Sequence, residues 1–405
     1  MRRSVFHAGS VWKAIDHTKS MYDVVIVGGG PAGAAAAAQL TKAGQKVVVL
    51  EKEELPRSKA CGGGVPASVG AELNIDFTPV IDTWVRNVEF RYRDRYISHA
   101  RLPSGTMTMV RRAPFDSFLL SHSGAEVVDG FCVLSLQEEA ESVKVLGEDR
   151  NRRPQDWHGR YALIACGGKE RAFSDYFQDS DAVKRSYAIA VVDQLQAVQS
   201  AEKTDSEPTA VFEFGSIPGG YLWIFPKSDH FSVGAGMFRG GRCNLVRAIK
   251  HSLGSRGSGP AVPEHLSLKG APVLLPHSKR SLRRGRVLRI GEAAGCVDPM
   301  IGEGVRYAVK SGLLAADSII RGRPEEYEAS VRRAILHDLR WAYYLSRVFY
   351  RIPRLAFLLG VRNPFILNSL VKVLSGRSSY KKVALMLPIL LFTGLPYCLY
   401  FSSRR

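Results

Sequence analysis

The chain has 405 residues, 45% of them hydrophobic, enough for two globular domains or one large composite and too apolar for a disordered chain. Lys and Arg outnumber Asp and Glu by 56 to 38, a net charge of +18. After residue 330 stand thirteen Lys/Arg and a single acid, Asp338, so 13 − 1 = +12 of that charge lies in the last 75 residues. Aliphatic neighbours there favour an anionic membrane surface over nucleic acid as the partner.

The six cysteines form no C-x-x-C pair, so neither a zinc site nor a disulfide framework is expected, and a reducing compartment suits the chain. The ten histidines fall in no metal-ligand spacing, and no metal is assigned. Residues 1–20 lack an apolar core after Arg2-Arg3 and are not a signal peptide. They are expected to be a disordered extension, with the fold beginning at Met21.

The first organised stretch is Val24 to Glu51. A short apolar run, Val24–Val27, meets Gly28, Gly30 and Gly33 in G-x-G-x-x-G spacing. An alanine-rich helix, Ala34–Lys42, is stopped by Gly44, and a second apolar run, Val47–Leu50, ends on Glu51. Gly28 permits the sharp turn, Gly30 the approach of a pyrophosphate, and Gly33 close packing of helix on sheet. The helix N-terminus favours the phosphates. Glu51, at the tip of the second strand, can accept hydrogen bonds from a ribose. Together these predict a dinucleotide site.

Residues 53–66 are too rich in Gly and Pro for a helix. Residues 71–104 read as strands and turns, with alternation through Val88–Tyr92. A helix is expected after Pro114, a strand over Val127–Leu136, and a buried strand over Tyr161–Ala165. A polar loop covers 195–208. Strands follow at Ala210–Phe214, Tyr221–Phe225 and Phe231–Met237, then a Gly/Ser loop at 251–260. A buried strand, Val287–Ile290, leads into the Gly-rich run 291–304 and a helix over Val305–Ile320 with one buried face.

The tail from Val331 reads as basic and mostly helical. Ala384–Phe401 is eighteen residues without a charge, flanked by Lys381-Lys382 and Arg404-Arg405. Its length is at the lower edge for a span, and Pro388, Gly394 and Pro396 interrupt it. The expectation is a shallow interfacial anchor, ahead of a tail span or helical hairpin and of an ordinary core helix. That would place the protein on the cytoplasmic side of a membrane, peripheral or tail-anchored.

Four separated stretches make the chain, from about Met21 to Tyr327, resemble the geranylgeranyl reductase family of flavoproteins. Besides the dinucleotide loop these are Arg57-Ser58-Lys59-Ala60-Cys61-Gly62-Gly63-Gly64, similar to the family's R-x-K-x-C-G-G-G segment; Pro218 to Pro226, matching its P-x-x-Y-x-W-x-F-P motif; and Arg289 to Gly304, similar to its second FAD motif. The resemblance implies an α/β fold: a Rossmann-like FAD-binding domain of three-layer ββα architecture, an antiparallel-sheet substrate domain and a helical C-terminal tail. Residues 21–80, 105–175 and 275–326 would form the FAD domain, 81–104 and 176–274 the substrate sheet, and 327–405 the tail.

It further implies FAD contacts from Gly28, Gly30, Ala32, Gly33, Glu51, Cys61, Gly62, Gly64, Arg111, Val133, Glu292, Gly304 and Val305. Glu292 stands where the family carries Asp, and Cys166-Gly167 where flavin hydroxylases carry Asp-Gly. The second departure counts against a hydroxylase. The implied activity is FAD-dependent reduction of isolated C=C bonds in a prenyl chain on a lipid, chlorophyll precursor or quinone. Electrons would come from NADPH or ferredoxin, so an electron-donor protein is a possible partner.

Such a double bond has no activating carbonyl, so the protein must offer an apolar tunnel and a proton source. Tyr221, Trp223 and Phe225 alternate along a strand and face one side, a wall for an isoprenoid. Cys61 and Tyr221 are the rival proton donors. The competing readings are a flavin monooxygenase on a lipophilic substrate, a cyclase-like isomerase that uses reduced FAD without net reduction, and an electron-transfer flavoprotein. The scattered cysteines do not supply the iron–sulfur segment the last requires.

Overall fold

The computed structural model describes residues 21–402, apart from 94, 185, 197–206, 239–242, 256–259 and 261. The expected extension 1–20 and most of the expected 195–208 loop lie outside the described residues.

In chain order, β1 (Met21–Val27), α1 (Pro31–Lys42) and β2 (Val47–Leu50) open the fold. They are followed by β3 (Gly64–Pro66), α2 (Ser68–Leu73), β4 (Ile81–Trp84), β5 (Asn87–Tyr92), β6 (Tyr96–Arg101), β7 (Met107–Val110) and α3 (Arg112–Ser121). Next come β8 (Glu126–Val128), β9 (Cys132–Glu138), β10 (Val143–Glu148), β11 (Pro154–Ile164) and α4 (Asp181–Lys184). The middle of the chain holds β12 (Tyr187–Gln196), β13 (Thr209–Phe214), β14 (Gly220–Pro226), β15 (His230–Met237), α5 (Leu245–Gly254) and β16 (Lys269–Leu274). The last strands are β17 (Arg283–Arg284) and β18 (Val287–Arg289). Helices α6 (Val305–Ile320), α7 (Tyr327–Val331), α8 (His337–Arg351), α9 (Pro353–Ala356), α10 (Pro364–Leu374) and α11 (Tyr380–Ser402) complete the chain.

The first sheet runs β17-β18-β11-β1-β2-β8, with β10 and β9 added on β11. Its centre is parallel: β1 lies between β2 and β11, and β18 follows β11. Strands buried on both faces need unbroken apolar runs, and Val24–Val27, Val47–Leu50 and Ala162–Ile164 supply them. Helices α1 and α6 pack side by side on this sheet, so closely that a Cβ on Gly312 would lie 2.3 Å from the carbonyl oxygen of Ala32. The β9-β10 hairpin packs on the opposite face of this sheet, and a small three-stranded sheet, β3-β7-β4, packs on the helix side.

The second large sheet runs β16-β12-β15-β14-β13-β5-β6. It is antiparallel except for β13 beside β5, a parallel pair. Strand β4, within the 81–104 segment expected in this sheet, pairs with β7 instead. One face of β14, with Tyr221, Trp223 and Phe225, packs in a core shared with α8, α10 and α11. Leu222 and Ile224, on the opposite face, pack with Ile249 and Leu253 of α5.

Two local expectations are corrected. The single strand expected over Val127–Leu136 is two, because Gly130 turns at φ +66° between β8 and β9. The expected loop at 251–260 begins inside α5, which Asn244 caps by accepting from Arg247 N at 3.0 Å.

Candidate functional site

The site is a cleft between the two large sheets, bordered by the start of α1, residues 59–64, the face of β14 and residues 301–305. Gly28 leaves β1 at φ +111°, and a Cβ there would lie 2.6 Å from the Ala165 carbonyl oxygen. Gly30 caps α1 with no side-chain hydrogen bond, which leaves the helix entrance clear for an anion. A Cβ on Gly33 would sit 2.1 Å from Gly28 O, so this turn and helix fit together only with glycine there.

Glu51 is buried at the tip of β2. Its Oε2 accepts from Gly29 N at 2.9 Å and pairs with Arg57 Nε at 3.1 Å, and Oε1 accepts from Glu53 N at 3.1 Å. Arg57 reaches on to Asp116 at 2.9 Å, and Asp116 holds Arg112 in a two-point pair at 2.8 and 2.7 Å. Burial works against the Arg112 charge, but Asp116 more than offsets it and holds the guanidinium protonated. A string of alternating charges thus runs from the ribose end of the motif to Arg112, which lines the cleft beside Cys61.

Cys61, Gly62 and Gly64 line the cleft with Lys59. Cys61 Sγ accepts from Gly63 N at 3.3 Å. A Cβ on Gly62 would come 2.8 Å from the Phe225 ring and 3.1 Å from Trp223 Nε1, so the glycine run lies flat against the aromatic strand. Tyr221, Trp223 and Phe225 all line the cleft, and Phe238 stacks on Tyr221 with ring centres 5.7 Å apart. Trp223 Nε1 is buried with no hydrogen-bond partner among the described residues. A buried orphan donor costs about 1–3 kcal/mol, and a polar group in the cleft would satisfy it. Behind the loop, Lys227 Nζ donates to Val110 O at 3.0 Å, and burial pushes its pKa down to about 8.

Glu292 follows β18 and lines the cleft. Its Oε1 accepts from Leu274 N at 3.2 Å, and its Oε2 pairs with Lys59 Nζ at 3.1 Å. A Cβ on Gly168 would meet Oε1 at 2.8 Å, and one on Gly167 would meet Oε2 at 3.3 Å. The two departures seen in the sequence therefore occupy one place: the longer acid lies over a Gly167-Gly168 step that has no side chain.

Residues 301–305 close the cleft at the start of α6, where Gly304 is the N-cap and Val305 the first helical residue. The preceding loop is held from three sides. Tyr221 Oη donates to Ile301 O, Tyr350 Oη to Met300 O at 2.6 Å, and Tyr380 Oη to Asp298 Oδ2 at 2.6 Å. Burial pushes the Asp298 carboxyl up to about 6, against the opposing pull of the Tyr380 hydrogen bond.

The structure gathers Gly30, Ala32, Cys61, Gly62, Gly64, Tyr221, Trp223, Phe225, Glu292, Gly304 and Val305 on this cleft, with Gly28, Gly33 and Glu51 directly behind its α1 end. Two expected residues lie outside this lining. Arg111 is bound to Asp82 at 2.7 Å and to Asp229 at 2.6 Å, outside the lining, and the next residue, Arg112, takes the cleft position. Val133 sits in β9 opposite Gly147, also outside the lining. Burial raises the Tyr221 pKa, and its hydroxyl donates to Ile301 O. Arg112, Asp116, Asp298 and Lys227 were missed. The i, i+4 spacing of Arg112 and Asp116 was the available signal for that pair.

A family model described as an FAD binding domain matches residues 23–100. The chloroplastic geranylgeranyl diphosphate reductase of Oryza sativa subsp. japonica is 30% identical over 361 residues, 81% of this chain and 75% of that protein. The digeranylgeranylglycerophospholipid reductase of Methanococcus vannielii is 27% identical over 73% of this chain and 76% of its own. Among solved structures, a geranylgeranyl bacteriochlorophyll reductase-like protein from Thermoplasma acidophilum superposes with a TM-score of 0.75 at 19% identity, over 91% of this chain and 99% of that one. That likeness carries the fold, and the cleft's glycine turn, buried Glu51 and orphan Trp223 donor fit a bound dinucleotide. The chain belongs to the geranylgeranyl reductase family and is an FAD-dependent oxidoreductase.

Proposed function

We propose that the protein reduces isolated double bonds in a geranylgeranyl or similar prenyl chain carried by a lipid, a chlorophyll precursor or a quinone. The observation that carries this reading is the aromatic wall of β14, with the Cys61–Gly64 loop packed against it, lining one cleft. Two relatives support it by what they are named for, a geranylgeranyl diphosphate and a digeranylgeranylglycerophospholipid.

In this reading the start of α1 holds the FAD pyrophosphate, Glu51 the ribose and Glu292 the ribityl chain. Residues 61–64 and 302–305, which line the cleft, would border the ring. When bound, FAD supplies the reducing equivalents as hydride. Tyr221, Trp223 and Phe225 hold the flat, apolar chain in register and exclude water. Cys61 holds the proton for the second carbon, since the Tyr221 proton is committed to Ile301 O. Arg112, beside Cys61, stabilises the thiolate left after transfer.

The substrate test is anaerobic turnover of the detergent-purified holoenzyme on geranylgeranyl diphosphate and on a geranylgeranylated glycerophospholipid, with products read by mass. Each reduced double bond adds one H2 to the product. A product carrying oxygen, formed only in air, would replace this reading with the monooxygenase. Anaerobic bleaching by NADPH or by reduced ferredoxin identifies the electron donor.

A further inference from the structure

Between Arg340 and Leu391 the chain carries nine Lys/Arg and no acid. The same helices expose large apolar side chains. Val348 and Leu355 on α8 and α9 are 59% and 50% exposed, and Leu385 and Ile389 on α11 are 62% and 64% exposed. Leu385 and Ile389 are one turn apart on α11, which packs on both α8 and α10. Arg340 lies over the Tyr344 ring, with its guanidinium carbon 5.6 Å from the ring centre. Exposed aliphatics rimmed by cations and by arginine-covered tyrosines complement an anionic lipid surface, apolar body inward and charge at the headgroups. Among the described residues no single helix is long and apolar enough to cross a membrane; the segment 353–361 and α10 together have the length and composition for it but meet at a 93° bend.

The inner sides of these helices reach the cleft. Leu374, at the end of α10, lines it. Tyr350 of α8 and Tyr380 of α11 hold the 298–301 loop, which runs straight into the cleft residues 302–305. Asp338 of α8 accepts from the backbone N–H groups of Tyr380 at 3.2 Å and Lys381 at 2.9 Å, tying the two helices together at that point. Close-packed elements pass displacement on rather than absorbing it.

We propose that the α8–α11 face docks on an anionic bilayer and that Tyr380, as a positioning residue, couples docking to the cleft, so that the enzyme is activated at the lipid surface. This rests on the prenyl reading of the cleft. The surface is wider than the 384–401 segment that the sequence singles out.

The test uses full-length holoenzyme, vesicles of phosphatidylcholine with or without phosphatidylglycerol, and geranylgeranyl diphosphate as a soluble substrate, so that access to the lipid phase is not the readout. Wild type is expected to float with the phosphatidylglycerol vesicles only, with turnover raised about 5-fold or more, the lower end of usual coupling between sites. Tyr380→Phe is expected to float equally while its ratio of turnover with and without vesicles falls towards one. Val348→Asp combined with Leu385→Asp is expected to stay in solution. A visible-spectrum change of the bound flavin on vesicle addition reads the same coupling without prenyl turnover, so failure of the substrate reading is told apart from failure of this one. The proposal is overturned if wild type ignores anionic vesicles, if it binds without stimulation or spectral change, or if Tyr380→Phe is stimulated like wild type. It is also overturned if light scattering shows a dimer that the two Asp substitutions dissolve.

Discussion

Gly33→Ala isolates the phosphate turn from everything else in the molecule. The new Cβ would lie 2.1 Å from Gly28 O, 3.2 Å from Ile26 Cγ2 and 3.3 Å from the Gly28 carbonyl carbon. Two of these three are backbone atoms of the turn itself, so no side-chain rotation relieves the contact. The turn and the start of α1 must separate by about 1 Å, the scale of displacement that costs about 1–3 kcal/mol in a packed interior. If that displacement falls on the FAD-bound geometry, the dissociation constant rises roughly 10- to 100-fold. Gly44→Ala is the control, since that glycine has φ +79° but nothing within 4 Å of its Cβ position. It should cost about 1 kcal/mol of stability through its backbone conformation and leave FAD affinity unchanged. Titrating apoprotein with FAD by flavin fluorescence, alongside thermal melts, separates the two effects. Wild-type affinity in Gly33→Ala would refute the assignment of this turn to the pyrophosphate.

Other expectations concern the chemistry and the supports of the cleft. Cys61→Ala should keep FAD but lose roughly 100-fold or more in anaerobic turnover, the usual weight of a general acid, and near-wild-type turnover would remove Cys61 from proton transfer. Tyr221→Phe loses one hydrogen bond, about 1 kcal/mol of stability, and should retain most of its turnover; a collapse comparable to that of Cys61→Ala would make Tyr221 the donor. Glu292→Ala should weaken FAD binding by roughly 10-fold or more, the worth of a hydrogen bond to a charged group, and unchanged affinity would exclude Glu292 from the ribityl contact. The Asp298 carboxyl is raised from 3.8 to about 6 by burial, so its contribution to stability is full below pH 4 and is lost as pH rises through about 6. That loss is about 3 kcal/mol at most; melts of Asp298→Asn should lack it, and an unchanged pH slope would show that Asp298 does not titrate in this window.

Much of the cofactor end was legible because its signals are local. The glycines of the turn, the apolar runs beside it and Glu51 lie within a few tens of residues, and each has a steric or hydrogen-bonding reason for its spacing. The alternation of Tyr221, Trp223 and Phe225 gave a common face for the same reason. Sequence reasoning does not reach features that depend on distant partners. Arg111 and Arg112 are adjacent, and only the packing of Asp82 and Asp229 against one and Asp116 against the other decides which faces the cleft. Tyr380 and Asp298 are 82 positions apart, and nothing between them encodes their hydrogen bond. The Asp129-Gly130 turn that splits β8 from β9 and the Leu245, Ile249, Leu253 spacing of α5 are local signals of the same kind as those at the cofactor end.

The passage of reducing equivalents from FAD in this cleft to a prenyl double bond is tested most directly by a single turnover under argon: photoreduce the bound flavin, mix with geranylgeranyl diphosphate, and follow reoxidation and product mass together. Flavin reoxidation matched by one added H2 per flavin is the predicted result. Flavin that stays reduced under argon, and reoxidises only when air is admitted with the prenyl chain unchanged, would contradict it.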